Sequence, residues 1–328
     1  MTQSKKAEIN STGRLMSYRE KTAAAILALC LHGSAMATAL LVPAYFYPSS
    51  DPAQSYWDEL TAAAASGASI TAIINPANGP GSAFNSDYLT AVNSFRAAGG
   101  KVLGYVYTCY GGTQCFTGLP PVQTTAQVLA AAQRYTDWYG VDGIFLDEMS
   151  NRLSDLPYYQ TVAKGLRTAN PGGRIVGNPG TATPAAYLNV ADTLVTLENG
   201  TGSYANAATE PWMLTAEAAR QANLFYNVAT ADAMRTLLAE AVARNVGYVY
   251  ITDDRYIPGD PVAINPWDQL PSYWTAEVAA VRAVPEPASD FLLLLGLIAL
   301  LGTTPRNSRM RRIRKYQVTE KLEQAVGA

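Results

Sequence analysis

Residues 141–148 read Val141-Asp142-Gly143-Ile144-Phe145-Leu146-Asp147-Glu148. The run is apolar without alternation until two adjacent carboxylates end it. A strand that is apolar on both faces belongs in a parallel sheet covered by helices on both sides. Helix-period stretches flank it at 124–139, opened by Thr124-Thr125, and at 156–169. The same unit recurs outward in both directions. Strands are expected at 40–48, 69–76, 101–108, 141–148, 174–180, 191–199, 222–229 and 246–254. Between and after them, helices are expected at 55–66, 87–98, 124–139, 156–169, 183–188, 215–220, 231–244 and 272–282. Eight βα units in one segment predict an α/β fold of the (β/α)8 TIM-barrel type, a single domain over 40–283. A doubly wound open sheet would also alternate. Eight strands that all end in polar residues favour closure.

Those polar ends are the strongest sign of a site, because barrel enzymes work at the C-terminal rim of the strands. Tyr45-Phe46-Tyr47 ends the first run and Asn75 lies at the end of the second; Tyr105 and Tyr107 lie in the third. Asp147 and Glu148 end the fourth, Asn178 the fifth, Glu198 and Asn199 the sixth, Asp253 and Asp254 the eighth. Tyr250 and Trp267 add flat aromatic faces of the kind that stack on sugar rings, although aromatic residues also simply pack cores.

Absences narrow the chemistry. The single histidine, His32, precedes the barrel. That removes a Ser-His-Asp triad, a Cys-His pair and a His-ligated zinc from consideration. Asn78-Gly79-Pro80-Gly81-Ser82 is glycine-rich, but Pro80 lacks the N–H a phosphate cradle needs, so it reads as a turn. Cys109 and Cys115 flank a short glycine-containing loop and are expected to pair in an oxidising compartment; two buried free thiols are the alternative. Carboxylate chemistry is left, as a glycosidase pair or as an acidic site for Mg²⁺ or Ca²⁺. The glycosidase reading needs no metal and no cofactor. From Leu40 to Ala283 there are 12 Lys/Arg against 20 Asp/Glu, a net of about −8, which argues against a nucleic-acid partner.

The two ends read as addresses. In 1–39, Arg19 and Lys21 precede an apolar run and then Ala35-Met36-Ala37 and Ala37-Thr38-Ala39, the pattern of a secretory signal peptide. Met16 offers an alternative start, and an uncleaved anchor an alternative fate. The 284–315 segment reads Val284-Pro285-Glu286-Pro287, an apolar stretch at 291–302, then basic residues from Arg306 to Lys315. It resembles the PEP-CTERM sorting signal of Gram-negative bacteria. The resemblance implies a transient inner-membrane helix with its basic flank cytoplasmic. It also implies an exosortase-type processing partner, and release to the cell surface or extracellular matrix. A plain membrane anchor is the other reading. The 316–328 tail is longer than that pattern usually carries.

Motifs along the whole barrel carry a further resemblance. They are LVPAYFYP (41–48), AIINPANGPGS (72–82), GGKVLGYVYTCYG (99–111), WYGVDGIFLDEMS (138–150), VGNPGT (176–181), ADTLVTLEN (191–199), RNVGYVYITDD (244–254) and NPWDQLPSYW (265–274). Together they resemble the spherulin-4-like proteins, glycoside hydrolase family 135. The resemblance implies a (β/α)8 fold and cleavage of α-1,4-linked N-acetylgalactosamine-containing polysaccharide, and it carries the family's functional carboxylates over to Asp147, Glu148 and Glu198. Strands 4 and 6 are not neighbours, so their ends can face each other across the mouth. That suggests Asp147 as nucleophile, Glu198 as acid/base and Glu148 as a supporting charge. Adjacent strand residues point opposite ways, so Asp147 and Glu148 can both face the axis only if the strand has ended. A non-catalytic carbohydrate-binding barrel is the competing function.

Overall fold

The computed structural model describes residues 38–283, apart from 50–51, 113–114, 116–122 and 261–262. The expected signal peptide, PEP-CTERM-like segment and membrane helix lie outside the described residues. Among the described residues, no helix is long and apolar enough to cross a membrane.

Eight parallel strands close in sequence order: β1 (Ala39–Ala44), β2 (Ile70–Ile74), β3 (Lys101–Tyr107), β4 (Gly143–Asp147), β5 (Arg174–Gly177), β6 (Thr193–Gly200), β7 (Gln221–Tyr226) and β8 (Tyr248–Ile251), with β8 paired back onto β1. The near-continuous apolar runs are buried on both faces, as a helix-covered parallel sheet requires. Among the described residues, six helices of ten residues or more accompany them: α1 (Ala53–Ala65), α2 (Ser86–Ala97), α3 (Thr125–Tyr139), α4 (Leu156–Ala169), α5 (Ala231–Ala243) and α6 (Trp274–Ala283). Their starts follow from side-chain caps. Asn85 accepts from Asp87 N at 2.9 Å, Thr124 and Gln127 form a capping box, and Thr230 accepts from Ala233 N at 3.2 Å.

Two expected helices differ. The 183–188 and 215–220 stretches hold only 3₁₀ turns, Ala185–Asn189 and Ala218–Arg220. Each stretch is about one and a half turns long, below what an α-helix needs to offset its nucleation cost. Here the chain is held by side chains instead, as when Arg220 donates to Ala191 O at 2.9 Å.

The N-terminal end of the barrel is built for stability. Asp142, just before β4, accepts from Val102 N of β3 at 2.9 Å and pairs with Arg96 at 3.1 Å. Asp192, just before β6, does the same to Ile175 N of β5 at 2.8 Å, paired with Arg167 at 2.8 Å. At Gly104, a Cβ would lie 2.3 Å from the ring of Tyr135, so β3 and α3 pack closely only because that position is glycine.

One buried carboxyl belongs to the fold. Glu277 of α6 is fully buried; its Oε1 accepts from Ile251 N of β8 at 2.9 Å, and its Oε2 meets no partner among the described residues. Burial, helped by the nearby Asp253 charge, pushes its pKa well above the usual carboxylate range, against the pull of the Ile251 hydrogen bond. A raised folded-state pKa gives stability that is full below the unfolded value and lost as pH rises through the folded one. Glu277→Gln should therefore gain on the wild type as pH rises from 5 to 8, by up to about 1.4 kcal/mol per pH unit. Urea unfolding of both proteins at the two pH values checks this; a constant difference would mean that Glu277 is ionised in the fold.

Candidate active site

The C-terminal mouth opens into a cleft of about 600 Å³. Asp147, Glu148 and Glu198 line it together, with Tyr45, Tyr105, Asn178 and Trp267.

Asp147 is the last residue of β4 and points into the barrel like Phe145 two positions before it. Its Oδ2 accepts from the Tyr105 hydroxyl at 2.8 Å and its Oδ1 from the Asn178 side-chain amide at 2.7 Å. Glu148 follows the strand with φ 48°, in the left-handed region, and this turn keeps it on the cleft beside Asp147. Thr108 holds the turn: its hydroxyl donates to Asp147 O and Glu148 O, both at 2.9 Å, and its N–H donates to Asp147 O at 2.9 Å. Tyr159 secures the far side, its hydroxyl 2.9 Å from that of Thr108 and accepting from Ser150 N at 2.7 Å.

Glu198 enters from β6 through an irregularity. Val195 pairs with Ala222, but the next pairs are Leu197 with Asn223 and Glu198 with Leu224, so Thr196 is an extra residue. Leu224 lines the cleft, and Glu198 shares its face. Without the bulge, the odd spacing from Val195 would turn Glu198 outward. The Asn178 amide that donates to Asp147 also donates to Glu198 Oε2, and Trp267 donates to the same carboxyl group. Burial, then the Asp147 charge, push the pKa of Glu198 up to about 7. Burial also raises Asp147, but Tyr105, the Glu148 backbone and Asn178 pull it back toward the ionised form.

The β3 exit is rigid. Cys109 and Cys115 are disulfide-bonded, and Cys109 and Tyr110 both have φ 48°. Such residues cost on the order of 1–3 kcal/mol each and persist only where the surroundings impose them. Tyr110 reaches the cleft and donates its N–H to Glu148 O at 2.8 Å. Among the described residues, the grouping of metal-ligating side chains is Cys109, Cys115 and Glu148, and the disulfide engages both sulfurs.

Six other rim residues lie off the cleft. Asn75 accepts from Gly79 N at 2.9 Å and closes its own turn. Tyr107 is buried against Gln123. Asn199 accepts from Gly200 N at 2.8 Å and from the Tyr226 hydroxyl at 3.4 Å. Tyr250 is fully buried beneath Trp267, with ring centroids 5.9 Å apart. Asp253 accepts from Ser272 N at 3.0 Å, and Asp254 from Gln269 at 2.9 Å; both line a second cleft with Glu59 and Tyr56. The cleft gains Tyr110, Tyr226 and Tyr256, which the sequence reading did not single out. Tyr226 ends a strand run whose rim could have been read like the others.

Comparison with known proteins agrees with this architecture. Residues 39–281 match the model of the family described as spherulation-specific family 4. Spherulin-4 of Physarum polycephalum is 31% identical over 255 residues, covering 75% of this chain and 70% of that protein. Among solved structures, Aspergillus clavatus Sph3 in complex with GalNAc superposes with a TM-score of 0.61 over 77% of this chain and all of that one, at 21% identity, a likeness of fold. With the family model spanning the barrel and a 31% identical relative, the chain belongs to spherulation-specific family 4.

Proposed function

We propose that this protein is a retaining glycoside hydrolase of the family 135 type that cleaves an α-1,4-linked polymer containing N-acetylgalactosamine. The supporting observation is that one amide, Asn178, donates to both Asp147 and Glu198. Two oxygens held by one nitrogen are at most two hydrogen bonds apart, roughly 5.5 Å. Retaining enzymes hold their carboxyls about 5–5.5 Å apart; inverting ones need more room for a water. The environments differ in the direction the chemistry needs. Glu198, with a pKa of about 7, is protonated in mild acid and can donate to the glycosidic oxygen. Asp147, hydrogen-bonded by Tyr105 and Asn178, is the carboxylate that attacks the anomeric carbon. The attack gives a covalent glycosyl-enzyme, and Glu198, now ionised, takes the proton from the water that releases it. The GalNAc bound in the related fungal barrel supports the sugar class.

In this reading the barrel works outside the cytoplasm. The 1–39 segment delivers it, and an exosortase-type enzyme releases it from the membrane at the 284–315 segment. The test is to incubate the purified barrel with the polymer, count new reducing ends, and read the first-formed anomer by NMR. Binding without new reducing ends would favour the carbohydrate-binding alternative; an inverted first product would exclude Asp147 as nucleophile.

The net charge of about −8 on residues 40–283 adds a second expectation. An acidic cleft concentrates cationic ligands, and salt screens the effect. A partly deacetylated polymer should show a higher kcat/KM than a fully acetylated one at low ionic strength, with the advantage shrinking as salt rises. Preference for the acetylated polymer at every salt concentration would leave the rim charges to chemistry alone.

A further inference from the structure

Trp267 reaches Glu198 from a loop between β8 and α6. Its carbonyl accepts from Tyr45 N at 3.1 Å, its N–H donates to Asn265 at 3.2 Å, and its ring rests on Tyr226 and Tyr250 at 6.0 and 5.9 Å. The next residue is Asp268, whose carboxyl is in hydrogen-bonding contact with that of Asp254, just beyond β8. Asp254 is only 8% exposed. Its Oδ1 is satisfied by Arg255 N at 2.7 Å and Gln269 Nε2 at 2.9 Å. Its Oδ2 is buried and receives no N–H or O–H from any other group among the described residues.

Two carboxylates in contact offer only acceptors, so the contact is repulsive unless something positive lies between them. Tyr56 and Glu59 of α1, Tyr250 of β8, Asp253 and Arg255 beyond it, Tyr273 just before α6 and Glu277 within it are the charged and titratable groups around the pair. Among the described residues, no ion pair involves Asp254 or Asp268. A donorless buried oxygen on one of two touching carboxyls is satisfied by one proton.

We propose that Asp254 and Asp268 share a single proton, and that this acid–carboxylate hydrogen bond is the latch that positions Trp267 against Glu198. Asp254 and Asp268 are positioning residues; they act on Glu198 through the Trp267 loop. The effect on turnover rests on the glycosidase reading given above, whereas the latch itself does not.

Burial and the Asp254 charge place the Asp268 pKa at about 6. The latch is closed below that pH and lost as pH rises through it, when the pair becomes two like charges. The alkaline limb of kcat/KM should then begin near 6, ahead of the Glu198 titration near 7. Asp268→Asn replaces the shared proton with a permanent amide N–H and should move that limb up toward 7. Asp268→Ala should raise KM roughly tenfold even at pH 5.5, about the worth of one hydrogen bond to a charged group.

A readout independent of turnover is the Trp267 fluorescence, taken as wild type minus Trp267→Phe. It should change between pH 5 and 7.5 with a component centred near 6, and that component should vanish when taken as Asp268→Asn minus Asp268→Asn/Trp267→Phe, leaving only the Glu198 titration near 7. The same pH course in both backgrounds would overturn the latch. So would a wild-type signal at pH 7.5 that EDTA abolishes and Ca²⁺ restores, because a cation would then occupy the place given to the proton. If the fluorescence behaves as expected while the polymer stays uncut, the latch stands and the glycosidase reading fails.

Discussion

Asp147→Ala is expected to lower turnover of the polymer by on the order of 10⁴–10⁶-fold, the range seen when an enzyme loses its covalent nucleophile. The fold should survive, because Asp147 contributes its backbone to the β3–β4 register while its side chain faces the cleft. The informative measurement adds azide and a substrate with an activated leaving group. Alanine leaves room for azide beside the anomeric carbon, on the face from which the carboxylate would attack. The expected product is a glycosyl azide of inverted configuration, formed while Glu198 still protonates the leaving group. No rescue by azide, together with unchanged turnover of the polymer, would remove Asp147 from the mechanism and turn attention to Glu148, which lines the same cleft.

Glu198→Gln should cost 10²–10⁴-fold on the polymer, the usual worth of general acid–base help. The loss should be much smaller on a substrate whose leaving group needs no proton, since only the second step then suffers. Azide should again restore turnover, now with retained configuration, because it attacks the glycosyl-enzyme in place of activated water. The pH profile gives a further sign. Glu198 has its pKa raised to about 7, so the wild type loses activity as pH rises through that region. The variant has no proton to lose there and should lack that dependence on the activated substrate. An alkaline limb that persists unchanged in the variant would assign the proton to another group.

The barrel was legible because its strands are buried on both faces, which writes each one as an uninterrupted apolar run such as Ile144 to Leu146. The carboxylates that line the cleft were legible for the same reason: Asp147 breaks such a run at its very end. Legibility failed one to three residues later. Asp253 and Asp254 follow β8, and the chain there turns toward Ser272 and Gln269, away from the mouth. Asn75 likewise closes the turn it begins. Period-two reasoning also could not settle Glu148, whose left-handed backbone carries it to the same side as Asp147. Tyr110 and Tyr256 reach the cleft from loops, where no periodicity exists to read.

The extra residue in β6 has a consequence for how this barrel can change over time. Elsewhere on the rim, altering the cleft takes a substitution, and each position can vary by itself. At Thr196 the reading frame of the strand's two faces is what matters. Loss of that one codon would restore strict alternation with Leu197 still opposite Asn223 and Glu198 still opposite Leu224, so the glutamate would stay at the mouth beside Asp147 and the aromatic walls. It is a register slip with no residue lost, pairing Thr196 with Asn223, that would send Leu197 toward the mouth and carry Glu198 to the helix side. A lineage that had lost the extra residue would keep both the LEN motif and its glutamate at the mouth. A one-residue gap at this point of β6 is therefore no sign of a lost site when relatives are compared.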